Sequence, residues 1–362
     1  MLPISQAWTI PPSFLHQNGS SRRSQVQFDL QAKPSLDGCI CLVTGASRGI
    51  GKGIAVELGV QGAIVYVTGT TTVEGSAATN ATLGTIEQTA SEVTSAGGKG
   101  IPVVCDHSND NDVKSLFLRI EKERGRLDIL VNNAFRLPDS GAAAIQRKFW
   151  EQGPVAWDPI HTVGLRSHYV ATCFAVPLML RQDKSPASIG LSRSLIVMIS
   201  SFGGISYSFN VAYGVGKAGV DRMAKDMAVD LAGTDISIIS LWPGLVNTER
   251  TKELVASGEW DEYIKIPLDD AESPRFTGRA VVALATDPQN IEKSGTFQVV
   301  AELAQEYGYT DLDGKVPPSI RSLRFLLPAY GFTESQRESI PSSLIPDWKL
   351  PFWMMAQGRP PE

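Results

Sequence analysis

The chain has no excess of either charge sign that would mark a nucleic-acid partner. Its 362 residues carry 33 Lys and Arg against 38 Asp and Glu, a net charge of −5, with no basic cluster. Cysteine is scarce: Cys39, Cys41, Cys105 and Cys173 fit neither metal-ligand nor disulfide spacing, and are expected to be buried free thiols in a reducing compartment. No apolar run approaches the ~18 residues of a membrane span, and residues 1–35 lack the basic start and apolar core of a secretory signal. That segment is Ser-rich, carries Arg22, Arg23 and Lys33, and has a single acid, Asp29. It reads as a disordered extension, either inert or a mitochondrial or plastid transit peptide. These absences point to a cytoplasmic location, with the endoplasmic reticulum surface or a mitochondrion or plastid as alternatives.

What is present is a hydrophobic fraction of 43%, enough to bury a large core. Strand-like runs at 39–44, 63–68, 101–105, 127–132, 194–200, 235–241 and 295–300 alternate with helical stretches near 49–61, 82–96, 110–124, 156–181, 212–232 and 273–285. Alternation of this kind predicts an α/β fold: one Rossmann-type, doubly wound parallel sheet of about seven strands with helices on both faces, spanning residues 36–300. Ligands bind such sheets at the C-terminal ends of the strands, at the switch point between the first and fourth. The strand-free segment 245–272 carries Trp260, Tyr263, Ile264 and Ile266. Residues 301–362 form an extension with apolar clusters, Phe325–Leu327 and Phe352–Met355, that must cover something: this subunit, a second subunit of a homo-oligomer, or a membrane face.

Residues 44–51 read Thr-Gly-Ala-Ser-Arg-Gly-Ile-Gly between an apolar run and a helical pattern. Glycines let the backbone approach a pyrophosphate, and the helix N-terminus offers unpaired N–H groups and a favourable dipole. Further along, Tyr213 and Lys217 stand four residues apart in a helical stretch, with Ser200 and Ser201 just upstream. One helical turn puts both side chains on one face, where an ammonium would favour the phenolate and bring a Tyr, near ~10 when unperturbed, within reach of neutral pH. Asn132-Asn133-Ala134 follows the fourth strand, and Pro243-Gly244 with Thr248 follows the sixth.

These motifs, in this order from about Leu36 to Val300, resemble the short-chain dehydrogenase/reductase family. The resemblance implies hydride transfer between a nicotinamide and a carbonyl carbon. It assigns Tyr213 as the proton donor, Ser201 as the hydroxyl that polarises the same oxygen, and Lys217 as a further ligand of the nicotinamide ribose. Ser200 competes with Ser201, because the commoner family spacing to Tyr is thirteen residues and Ser201 gives twelve. Gly45, Ser47, Arg48, Gly49, Ile50 and Gly51 match the phosphate turn, Asp106 the adenine contact, Asn132 and Ala134 the strand end beneath the ribose, and Pro243, Gly244, Val246 and Thr248 the loop that holds the carboxamide. Two positions depart from the family. Phe135 replaces the Gly that ends the Asn-Asn-Ala-Gly motif, which narrows the pocket, and His161 stands where an Asn usually completes the catalytic group. In the family that Asn sits at a helix distortion whose main-chain carbonyl holds a water, so His161 is either a relay or a bystander.

Segment 245–272 corresponds to the family's mobile substrate lid. The substrates implied are bulky apolar ketones or secondary alcohols, such as steroids, prostanoids or xenobiotic ketones. NADP(H) is expected over NAD(H), because the second strand ends Thr68-Gly69-Thr70-Thr71 with no acid to repel a 2′-phosphate, and Arg48 can face one. A non-catalytic NADP(H)-binding sensor is the alternative, and the intact Ser, Tyr and Lys argue against it.

Overall fold

In a computed structural model, the described residues are 35–73, 84–137, 147–181, 191, 193–264 and 266–356. The expectations for the N-terminal extension up to residue 34, for residues 82–83 and for the end of the tail from 357 lie outside them. Seven strands form one parallel sheet in the order β3-β2-β1-β4-β5-β6-β7. They are β1 (Ile40–Val43), β2 (Ile64–Gly69), β3 (Lys99–Val104), β4 (Ile129–Asn132), β5 (Ser194–Ile199), β6 (Ile236–Trp242) and β7 (Phe297–Val299). The inner strands are buried along their whole length, which is why they read as unbroken apolar runs. Val43 pairs with Val67 on one side and Val131 on the other, so the strand order reverses at β1.

Helices cover both faces. On one, α1 (Gly49–Val60), α2 (Ile86–Ser95) and α8 (Pro274–Thr286) pack on alternate β1 and β5 residues such as Cys41, Val43, Val197 and Ile199. Close contact of α1 with α8 depends on Gly53, where a Cβ would lie 2.2 Å from Pro274 O. On the other face are α3 (Asp110–Arg124), α5 (Ser167–Leu180) and α6 (Val211–Asp230), packed on Leu42, Leu130, Ile196 and Ile238. Before α5 come α4 (Trp157–His161) and a π turn, Thr162–Arg166. By length and composition the 27-residue run Pro154–Leu180 could cross a membrane, contrary to the sequence expectation; half of its apolar window is buried in the protein, where Ala171, Ala175, Leu178 and Met179 join the core.

Cys39, Cys41 and Cys105 are buried as expected, whereas Cys173 is exposed, because it falls on the outward side of α5. The extension packs on the protein's own body. Phe352 meets Trp242 and Phe297 edge-on at 5.9 and 4.8 Å, and Arg321 lies 4.4 Å over Phe352 while pairing with Glu302 at 2.6 Å. The rings of Trp242 and Phe297, on β6 and β7, are therefore covered by an aromatic side chain from the extension.

Candidate active site

The site is assembled at the C-terminal ends of β1, β4, β5 and β6. Asn210 caps α6, its Oδ1 accepting the Tyr213 N–H at 2.8 Å, and so fixes the first turn that carries Tyr213. The Tyr213 hydroxyl donates to Ser201 Oγ at 2.8 Å. Ser200 is buried and turned away, its Oγ donating to Lys217 O at 3.2 Å. Of the two serines, Ser201 is the one that faces the phenol. Gly203 makes room for this pair, since a Cβ there would sit 2.6 Å from Tyr213 Cε1. The rings of Phe135 and Phe209 stand edge-on to Tyr213 at 5.8 and 5.0 Å. Phe209 has φ 60°, the single positive value outside glycine among the described residues. A bulky residue held there stores strain of about 1–3 kcal/mol, and such strain collects where a side chain must be aimed.

Lys217 lies one turn further along α6, buried, with Nζ donating to Ile199 O at 3.0 Å and 4.9 Å from the Phe135 centroid. Burial lowers its pKa to about 8, against the opposing pull of Asp221. Tyr213 is held above its ordinary value by burial, which the Ser201 hydrogen bond only partly offsets. The expectation that Lys217 lowers Tyr213 is thus not met. Its Nζ turns to the end of β5, and Ser201 is the group that favours the phenolate.

His161 ends α4, where the π turn supplies the expected helix distortion. Its Nδ1 donates to Trp157 O at 2.9 Å, its ring stacks on Trp157 at 3.7 Å, and Nε2 is buried without a partner. Nε2 faces α6 beside Gly216, one residue from Lys217. Phe135 sits on Gly164 of the π turn, where a Cβ would lie 2.5 Å from its ring.

The predicted phosphate turn is a glycine cradle. Gly45 has φ 62° and its Cβ would lie 2.7 Å from Ala134 Cα; a Cβ on Gly51 would lie 2.4 Å from Asn133 Nδ2. Asn133 Nδ2 donates to both Thr44 O and Gly45 O at 2.9 Å, tying the β4 end to the turn. Arg48 is the extended N-cap of α1 and provides no side-chain cap, Ser47 is buried, and Ile50 packs on the core. Asn132 donates to Thr172 Oγ1 at 3.0 Å and keeps Oδ1 buried and unpartnered. Asp106 Oδ1 accepts from Ser108 N and Oγ at 2.9 and 2.7 Å. The loop after Pro243 carries Gly244 and Val246, and its Thr248 caps α7 (Glu249–Ala256). These residues fit a dinucleotide: a crowded glycine turn, a helix N-terminus and a polar strand end converge at the sheet's switch point.

The family model for short chain dehydrogenases matches residues 39–258. The chain belongs to the short-chain dehydrogenase/reductase family. It is 42% identical over 320 residues to dehydrogenase/reductase SDR family member 1 of Mus musculus, covering 86% of this chain and 96% of that protein. The Homo sapiens protein of the same name is 40% identical, covering 89% and 97%. Among solved structures, a short-chain type dehydrogenase/reductase from Mycobacterium marinum superposes with a TM-score of 0.60 at 25% identity, covering 78% of this chain and 99% of that one. A 3-oxoacyl-(acyl-carrier protein) reductase from Brucella melitensis, solved in complex with NAD, gives 0.60 at 25% identity over 73% and 96%.

Three carboxylates of this family member escape sequence reasoning. Glu249 Oε2 accepts the Gly49 N–H at 2.8 Å, at the phosphate turn itself. An anion already held there opposes a pyrophosphate, so Glu249→Gln should bind dinucleotide roughly 3–10-fold more tightly by calorimetry, and unchanged or weaker binding would contradict this. Glu272 is buried, accepts the Gly244 N–H at 2.9 Å, and leaves Oε2 unpaired. Its main chain accepts from Asn247 N at 2.8 Å and donates to Leu245 O at 2.7 Å, so both ends of segment 245–272 are stitched together beside Gly244. Trp260 is buried and donates to Ile266 O at 2.9 Å, bracing that segment rather than presenting a free face.

Burial raises Glu272 from 4.5 to about 8. Between these values the folded state holds one proton more than the unfolded state, so stability falls as pH rises through the window. Glu272→Gln removes this titration. Its melting temperature should gain on the native chain steadily from pH 5 to pH 8, and a constant difference would contradict the assignment. The third carboxylate, Asp221, lies behind Lys217 on α6, where Oδ1 accepts from Ser240 Oγ at 2.6 Å and Trp242 Nε1 at 2.9 Å.

Proposed function

We propose that this oxidoreductase is an NADPH-dependent carbonyl reductase acting on bulky apolar ketones, with the corresponding secondary alcohols as products. The observation that carries the reading is the 2.8 Å hydrogen bond from the Tyr213 hydroxyl to Ser201 Oγ, walled by Phe135 and Phe209. When bound, the nicotinamide would supply a hydride. Negative charge then grows on the carbonyl oxygen, and a donor must meet it. Tyr213 holds the proton for that oxygen, and Ser201 holds the oxygen in place. Phe135 and Phe209 exclude water around the phenol and favour a flat apolar substrate. Lys217, Asn132 and the turn 45–51 would hold the dinucleotide. His161 reaches this group only through the helix end, so the main-chain path at the π turn remains the simpler proton route.

Preference for NADPH rests on Arg48 at the α1 N-cap and on the end of β2, where no acid follows Gly69 before Val73. Thr68 does not join the recognition, because its hydroxyl is engaged with Val43 O at 3.2 Å and His107 Nε2 at 2.8 Å. Thr70 is exposed and free to serve. The test of the reading is a ketone panel graded by size, assayed with NADPH and NADH. Large apolar ketones should consume NADPH, and Arg48→Ala should weaken NADPH by roughly 10–100-fold, the scale of a lost charge-assisted hydrogen bond, while sparing NADH. Equal dissociation constants for the two cofactors would remove the preference, and an inert panel would remove the reductase.

A further inference from the structure

We propose that Asp221 is a positioning residue for the reaction: it fastens the end of β6 and the turn after Ser201 to the helix that carries Tyr213 and Lys217, and it sets a carboxylate one helical turn from the buried Lys217. The proposal deepens the oxidoreductase reading above and rests on it for the role of Lys217. Asp221 follows Lys217 by one turn on α6, so the two share a helix face. Its Oδ1 takes two donors from alternate residues of β6, Ser240 and Trp242, and Trp242 immediately precedes the Pro243-Gly244 loop. On the other side its Oδ2 presses on the turn that follows Ser201. A Cβ on Gly204 would lie 2.3 Å from that oxygen, and the Gly204 N–H donates to Ser201 O at 3.0 Å. One carboxylate on the helix of Tyr213 and Lys217 therefore touches the serine turn and the last β6 residue before the Pro243-Gly244 loop.

A structural clamp alone would not need a charge. Burial raises the Asp221 pKa, and the hydrogen bonds from Ser240, Trp242 and Ser200 together with the Lys217 charge oppose that rise and favour the carboxylate. The neighbourhood explains why a charge stands there. On α6 itself Lys217 Nζ lies 5.8 Å from the Tyr213 ring centroid, and Asp221 follows it by one turn, its charge opposing the effect of burial on the ammonium. From the loop after β4 and from the β5 end Lys217 meets the Phe135 ring and Ile199 O, and from α4 the His161 edge near Gly216. From α5 comes His168, which burial and then the Lys217 charge hold unprotonated, its pKa lowered to about 3. Ser200 and Ser240 add hydroxyls. Among the described residues Asp221 is the carboxylate that supports the Lys217 cation, and without it burial acts on that ammonium unopposed.

Asp221→Asn separates charge from shape, because the amide oxygen still accepts from Ser240 and Trp242. The direct readout is the pH titration of the Lys217 13Cε resonance in the full chain labelled with 13C-lysine. A native midpoint near pH 8 should move down by at least one pH unit in Asp221→Asn, with melting temperature held or raised. In parallel, the alkaline limb of kcat should move to lower pH by the same interval, leaving kcat near native at pH 6 and at least about 5-fold below native at pH 8. Trp242→Phe, which removes one donor and keeps the charge, should leave the Lys217 midpoint in place. An unmoved midpoint in Asp221→Asn overturns the proposal, whatever happens to activity. A moved midpoint in a chain that reduces no ketone would leave the proposal standing and remove the reductase reading instead.

Discussion

Tyr213→Phe should lower turnover on the best ketone by roughly 10²–10⁴-fold while leaving melting temperature and NADPH affinity close to native. The ring keeps its edge-on contacts with Phe135 and Phe209, and Asn210 still caps the helix through the backbone N–H of residue 213. Only the hydroxyl that meets Ser201 is lost. Because burial raises the Tyr213 pKa, the phenol is protonated throughout the neutral range, which suits a proton donor in the reductive direction. In the oxidative direction the same residue must first lose its proton, so alcohol oxidation should rise with pH well beyond neutrality. Near-native turnover in Tyr213→Phe would mean that another group protonates the product.

Lys217→Met should act differently, on binding and turnover together. The ammonium is buried and directed at the Ile199 carbonyl, so its loss removes a charge-assisted donor at the place where the family holds the ribose. NADPH affinity should fall by roughly 10–100-fold and turnover by at least as much. Stability should hold or rise. Lys217 has its pKa lowered to about 8, so between pH 8 and its ordinary 10.5 the unfolded state binds the extra proton and native stability grows with pH. Below that window the folded chain bears the cost of a buried cation, and Met relieves it. Spectral titration with NADPH and thermal melts at pH 6, 8 and 10 check both parts: loss of turnover without loss of cofactor affinity would confine Lys217 to the proton chemistry.

The parts of this molecule that its sequence made legible are those governed by local spacing. Parallel inner strands are buried on both faces, so β1, β4, β5 and β6 appear as apolar runs, and only their ends shift by a residue or two. The edge strand β3 begins at Lys99, ahead of the expected start, because its exposed and half-buried residues carry little pattern. The glycine turn and the Tyr213 to Lys217 turn are likewise local, whereas the helix break beside His161 interrupts a stretch whose residues read as one helix over 156–181 and was implied by the family resemblance alone. What stayed hidden depends on contacts between distant segments. Glu249 reaches Gly49 across 200 residues of sequence, Glu272 ties the end of segment 245–272 to Gly244, and Asp221 ties the end of β6 to α6. A helix pattern also does not say which way a long side chain points, and Lys217 turned toward Ile199 rather than toward the phenol. Cys173 shows the same limit: its helix is apolar nearly all round, so sequence alone could not place the thiol outside.

The central claim is that this chain catalyses hydride transfer to a carbonyl, with Tyr213 giving the proton, and does more than hold a nucleotide. Its most direct measurement is isotopic: the full-length chain is incubated with a bulky apolar ketone and NADPH deuterated at nicotinamide C4, separately on each face, and the product is examined by mass spectrometry and NMR. The account predicts deuterium on the carbinol carbon from one face only, with a solvent-derived proton on oxygen, and loss of labelled alcohol in Tyr213→Phe at unchanged NADPH affinity. Saturating NADPH binding with no labelled alcohol from any ketone of the panel would contradict it, and would make the protein a nucleotide-binding member of its family without turnover.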